Sequence, residues 1–359
     1  MLVIAGALLL LLSLVRWGGL PEVTPRLVAG IGLLMAMLAT FGLLLWWLYL
    51  SPVPADVDLQ QESGVASLTR HRPEIRGSQG VHTATFRQFV GALATISGLL
   101  FVVGGAWDEV WHRRFGSFGN DFLWAPHLLL YGSLGLIACF AGAGLALVLR
   151  PQRRRRGAGQ ADGVQRGGVG LRQRFRAEPA IGWLALVSGY LVLSVPSDLL
   201  WHLLYGIDLT AWSLPHLMLA GGFTLVMLAA VAVQLSRAAP HPWQGMHRMT
   251  WADVPEALAL LPLAWAMVVL LQLGTTEWDG ISVILGPEAG AFWQRPEWLY
   301  PVVVVTIAIF AGAVALHALR RAGAATVLGL LVLGARLAVL WLVRPQAPEV
   351  TLSALPHLL

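Results

Sequence analysis

The chain has 359 residues, of which 57% are hydrophobic and 12% charged, with a formal net charge of +5. Soluble domains average about 45–50% apolar and about 25% charged, so a water-soluble fold and the soluble enzyme classes are excluded. All 24 basic residues are arginine, which removes Schiff-base lysine chemistry and lysine-bearing phosphate loops, and the single cysteine, Cys139, allows neither an intrachain disulfide nor a cysteine zinc cluster.

The fold class that follows is all-α, a polytopic integral membrane bundle. A span needs about 20 apolar residues because the hydrocarbon core is about 30 Å thick and a helix rises about 1.5 Å per residue. Nine such runs are expected, at 2–19, 27–50, 86–107, 126–149, 179–201, 214–235, 255–276, 298–319 and 324–343. The first is interrupted at Arg16, as a signal peptide could be, although no Ala-x-Ala site follows and no charge precedes it. Arg336 inside the last run should face protein or water. The chain divides into N-terminal spans plus linker (1–85), a first unit (86–149), an arginine-rich loop (150–178), a second unit (179–235), a third, degenerate unit (255–319), and a last span with its tail (324–359).

Arginine placement sets the expected orientation. Residues 150–176 hold nine arginines against Asp162, so this loop should be cytoplasmic and the N-terminus with it. The location implied is a bacterial-type inner (plasma) membrane. The loops 108–125, 198–213 and 277–297 then face outside, with a net charge of −6 that should attract cations. The arginine tract reads as a topogenic, partly disordered linker with affinity for anionic headgroups, not as a nucleic-acid site. Segment 51–85, rich in Ser, Gly, Pro and charge, reads as a flexible or amphipathic connector.

The expected outer loops repeat one another. Trp107-Asp108, Trp111-His112, Phe115-Gly116 and then Trp124-Ala125-Pro126-His127-Leu128 match Asp198, Trp201-His202, Tyr205-Gly206 and then Trp212-Ser213-Leu214-Pro215-His216-Leu217. A third version, Trp278-Asp279 then Pro296-Glu297, has Val283 and Glu297 where the histidines would stand; from aspartate to proline the separations are 18, 17 and 17 residues. The repeated unit is therefore a helix, an outer loop and a helix. Leu355-Pro356-His357 resembles the start of a further second helix, so the last copy is either cut short or vestigial.

Asp108 and His112 stand at i and i+4, as do Asp198 and His202, so each pair shares a helical face. Pro126 and Pro215 fit the first turn of the next helix, with His127 and His216 one residue inside. Antiparallel packing would gather Asp108, His112 and His127, and again Asp198, His202 and His216. Two imidazoles and a carboxylate suit copper, with iron or zinc as alternatives, and leave coordination positions open. The competing reading is interfacial packing, in which these polar side chains sit at headgroup level and Asp108 pairs with Arg113 or Arg114. Asp279 and Glu297 fit helix capping or loop closure better than a soft metal. His241, His247, Met246 and Met249 read as surface residues.

Asp-x-x-Trp-His, an acidic loop ending near Asp121-Phe122, and a proline shortly before a histidine with Tyr131 four residues on resemble the C subunit of the particulate methane and ammonia monooxygenases. In that copper-dependent membrane family the C subunit pairs with two others. The resemblance implies a copper site at Asp108, His112 and His127, and a second at Asp198, His202 and His216, where the family has Asn in place of Asp198. It covers roughly 108–131 and 198–219. Here the histidine follows its proline directly, His112 to His127 is slightly longer than in the family, and the chain has more spans.

The function expected is a C-like subunit of a copper membrane monooxygenase, acting with O2 on a small apolar or ammonia-like substrate that arrives from the bilayer. No flavin, haem or iron–sulfur signature is present, so partner subunits would supply electrons; a homo-oligomer is the alternative assembly. Two other readings stand beside it: a metal-binding or metal-handling membrane protein without oxidase activity, and a structural scaffold. Few ionisable residues lie deep in the spans, His317 and Arg336 excepted, which counts against a transporter.

Overall fold

A computed structural model describes residues 36, 39–50, 84–115, 123–149, 171–177, 179–205, 212, 214–235, 247–248, 250–251, 257–279, 296–343 and 345. Side chains are not described for 84–85, 109–115, 173, 177, 199–205, 214, 247–248, 276–277 or 279. Nine helices can be followed among these residues: α1 at Ala39–Leu50, α2 at Ala84–Phe115, α3 at Ala125–Leu149, α4 at Leu171–Ala177, α5 at Pro179–Tyr205, α6 at Leu214–Leu235, α7 at Leu261–Asp279, α8 at Leu299–Leu319 and α9 at Ala324–Val343. A tight turn at Leu258–Leu260 leads into α7.

Seven of them, α2, α3 and α5 to α9, are long and apolar enough to cross a membrane. They match seven of the nine expected runs to within a few residues. The run 2–19 lies outside the described residues, and of the run 27–50 the structure describes α1 and Ala36. Among the described residues the helical expectation gives way to a two-residue parallel pairing of β1 (His247–Arg248) with β2 (Arg321–Ala322). This pairing involves the backbone of His247, one of the residues read from sequence as surface; His241, Met246 and Met249 lie outside the described residues.

The chain folds back on itself at each hairpin, and small residues set how closely neighbours approach. A Cβ at Gly144 of α3 would lie 3.0 Å from the Cβ of Ala185 in α5, and one at Gly91 of α2 would overlap the Gln234 side chain of α6. These contacts join the C-terminal half of α3 to the N-terminal half of α5, and the start of α2 to the end of α6, so both pairs run antiparallel. Gly98 brings α2 onto the Trp265 indole of α7, and Phe101 stacks on Phe223 of α6 with ring centroids 4.3 Å apart. Helices α5, α6 and α7 are the most buried, and α8 the least. On α3 the buried residues are Pro126, Ser133, Ile137, Phe140, Gly144 and Val148, a stripe at three-, four- and seven-residue steps that fits one helical face. The opposite sides of α8 and α9 expose Val302, Val305, Ile309, Leu330, Leu337 and Trp341, an apolar exterior suited to a bilayer. Arg336 is half-buried and Cys139 exposed.

The tail of the arginine tract is ordered. Arg174 of α4 donates to the carbonyl of Leu149 at the end of α3 (2.7 Å), and Arg176 donates to the carbonyl of Leu48 in the last turn of α1 (2.8 Å). Arg172 lies over the Trp47 ring at 5.5 Å. Helix C-termini present unpaired carbonyls and partial negative charge, so Arg174 and Arg176, which read as loop from sequence, close the ends of two helices, while Phe175 between them is buried. At the end of α8, Arg320 adopts φ 52° and its N–H reaches the Leu316 carbonyl at 2.8 Å; Gly323, at φ 97°, then turns the chain into α9 without a Cβ penalty.

Candidate metal centre

Helix α2 continues through Asp108 and His112 to Phe115, and α5 through Asp198 and His202 to Tyr205, so both i, i+4 pairs are helical as expected. Helix α3 begins at Ala125 and α6 at Leu214, which puts Pro126 and Pro215 in the first turn. There the missing N–H costs nothing, because first-turn donors have no intrahelical partner. The bond from the Leu128 N–H to the Trp124 carbonyl (2.9 Å) closes that turn around His127.

Across the first hairpin, His127 Nε2 lies 2.8 Å from Asp108 Oδ1; across the second, His216 Nε2 lies 3.9 Å from Asp198 Oδ1. The first distance is within hydrogen-bonding range and the second is beyond it. Both Oδ1 atoms are shielded from solvent, while the imidazoles remain partly exposed. Tyr131, one turn after His127, has its ring 6.1 Å from the imidazole. Since α3 runs antiparallel to both α2 and α5, and α6 antiparallel to α2, the two Asp–His contacts lie at the same end of the bundle.

Four of the six expected ligands thus meet in pairs, Asp108 with His127 and Asp198 with His216. The side chains of His112 and His202 lie outside the described residues. Among the described residues no group of three His, Cys, Asp or Glu side chains gathers to hold a metal. The donors present still fit a metal in kind: a carboxylate oxygen removed from water, facing an imidazole nitrogen on a separate rigid helix.

In the third unit, Glu297 is exposed and contributes its backbone carbonyl, which accepts from the Tyr300 N–H at 3.3 Å as α8 begins. No side chain caps that helix at Trp298. An aromatic row also joins the third unit to the second. Trp212 Nε1 donates to the Leu273 carbonyl (3.0 Å), the Trp212 and Trp278 rings meet edge to face at 5.7 Å, and Trp278 meets Tyr300 at 5.3 Å. A tryptophan just before Pro-His, and another just before the aspartate, were its available sequence signals. No protein-family model, curated protein or solved structure matches the chain.

Proposed function

We propose that this chain is a metal-binding membrane subunit, preferring copper, that serves a membrane monooxygenase resembling the particulate methane and ammonia enzymes. One observation carries the reading: a carboxylate and an imidazole from separate helices meet in each of two hairpins at one end of the bundle, 2.8 Å apart in one and 3.9 Å in the other. Chance packing of interfacial side chains gives no reason for the same two residue types to meet twice at matching sequence positions. The unit is a repeated helix–loop–helix within a chain of about nine spans, its N-terminus cytoplasmic and its acidic loops outside.

Asp108, His112 and His127 would hold one ion, and Asp198, His202 and His216 a second. Copper bound there would supply one-electron redox chemistry with open coordination positions. The chain's own contribution is to fix the ligands. The first turns of α3 and α6 orient His127 and His216, the aspartates bring negative charge where a cation must lose its water, and the apolar bundle below limits access to small substrates. Electrons come from partner subunits.

Metal analysis of the detergent-purified chain, with spectroscopy to identify nitrogen and oxygen ligands, tests this. Copper at up to two equivalents with histidine ligation is expected; a chain free of copper, iron and zinc after reconstitution overturns it. Orientation is tested separately with single cysteines in a Cys139→Ser background. A label at 160 should be shielded from an impermeant outside reagent and labels at 118 and 286 should react; reaction at 160 alone inverts the topology.

A further inference from the structure

The two Asp–His contacts differ in length, and the residue one helical turn before each aspartate differs with them. In the first hairpin that residue is Gly104. A Cβ there would lie 3.0 Å from the Leu130 Cγ, 3.0 Å from the Pro126 carbonyl oxygen and 3.1 Å from the Leu129 Cβ. These three residues bracket His127, so α2 touches the first turn of α3 with nothing but backbone, and Asp108 extends from the same face one turn further on. In the second hairpin the matching residue is Ser194, fully buried, its hydroxyl turned back to the Leu191 carbonyl of its own helix at 2.6 Å. In the third it is Thr275, also buried, bonded to the Leu271 carbonyl at 2.8 Å. The close-approach glycine of that helix is displaced by one residue, to Gly274, whose added Cβ would lie 2.9 Å from Val303. One residue is about 100° around a helix, so that approach no longer lies in line with Asp279.

We propose that Gly104 is a positioning residue that draws Asp108 onto His127, and that the series Gly104, Ser194, Thr275 grades the three hairpins from closed pair to open pair to no site. The position one turn before the aspartate carries no side chain in the first, a hydroxymethyl in the second and a branched side chain in the third, which also lacks both histidines. The consequence for ligands rests on the metal-binding reading. Donors bond transition metals at about 2.0–2.1 Å, so two donors on one ion lie within about 4 Å of each other. At 2.8 Å the Asp108–His127 pair can share an ion without helix movement; at 3.9 Å the Asp198–His216 pair is near the limit. The first hairpin is therefore the tighter site.

The test uses the full chain in nanodiscs, with Cu(II) as the probe and 15N-histidine labelling as a metal-free readout. Gly104→Ala, assayed in a His216→Ala background so that only the first site reports, should weaken Cu(II) binding by about tenfold or more, the scale of a disturbed supporting contact. In the metal-free protein it should move the His127 imidazole resonance toward that of His216. Gly144→Ala overpacks the far end of α3 to a similar degree and should do neither. Ser194→Gly, in a His127→Ala background, should tighten the second site severalfold while lowering thermal stability, since glycine is a poor helix former; affinity and stability then move in opposite directions, which a packing role alone does not produce. If Gly104→Ala fails to fold, the Ser194→Gly arm decides alone: a second site that does not tighten overturns the proposal.

An unchanged His127 resonance in the Gly104 variant, or an equal change in Gly144→Ala, overturns the proposal. Failure of the wild-type chain to bind Cu(II) overturns the metal reading instead, and the resonance still decides the positioning role.

Discussion

The first and second hairpins carry the same motif on seams built differently. The first is held deep in the bundle by a reciprocal serine pair, Ser97 with Ser133, and is bare at Gly104. The second has Val187 and Gly222 at the matching positions, with Gly222 against Tyr190 and Leu191, and its serine near the aspartate bonds its own helix. It also carries Pro196 inside α5, two residues before Asp198 where the first hairpin has Ala106. That proline removes one backbone donor from the turn that aims the carboxylate. A sequence motif names the donors; the residues beneath it decide how closely they meet.

The largest expected effect comes from removing a donor. If both hairpins hold ions independently, His127→Ala should lower bound copper from two equivalents to one and His216→Ala should do the same, each leaving the other site's spectrum intact, while Asp108→Asn acts like His127→Ala. Loss of both ions in either single variant would make the two hairpins one shared site, and the comparison between them would no longer hold.

A smaller effect tests how the first hairpin is seated against the rest of the bundle. Gly98 places α2 directly against the Trp265 ring, where an added Cβ would come within 2.5 Å of the indole. Overpacking a close seam costs about 1–3 kcal/mol, so Gly98→Val should lower stability by that order in reversible unfolding from mixed micelles. Gly189→Val, at a position with no atom within 4 Å of an added Cβ, should cost far less. Equal losses would mean that valine's lower helix propensity, not the α2–α7 seam, sets the effect.

Much of this architecture is legible in the sequence because its cause is local. Apolar runs of the right length became the seven spans, and Pro126 and Pro215 fell in first turns because proline's missing donor is harmless there. The Asp–His juxtaposition could be read from one repeat laid over another, given antiparallel packing. Illegible were features that depend on a partner across space. Arg174 and Arg176 read as loop because nothing local reveals that α1 and α3 end nearby with open carbonyls at Leu48 and Leu149. Gly104 is one of 39 glycines, and only the first turn of α3 gives it meaning. Trp212 reads only as part of the repeated motif until the Leu273 carbonyl and the Trp278 ring appear beside it.

The smallest effect concerns the serine pair that only the first hairpin has. Ser133 Oγ donates to the Ser97 carbonyl at 2.8 Å, the two hydroxyls lie 2.9 Å apart, and Ser97 Oγ reaches the Ser133 carbonyl at 3.3 Å, all buried. Polar contacts between helices inside a membrane average about 0.6 kcal/mol, because the dissociated helices also find partners. Ser133→Ala should cost about that much, since Ser97 keeps the Ser133 carbonyl as acceptor and no hydroxyl is stranded. Ser97→Ala should cost a similar amount. The double variant should cost less than the sum, because each single change already breaks the contact the two share, and a double-mutant cycle measures that coupling. A cycle that closes with no coupling would mean the hydroxyls act on their own carbonyl partners alone. The first hairpin would then be held here by two separate cross-helix hydroxyl–carbonyl bonds and not by a shared pair.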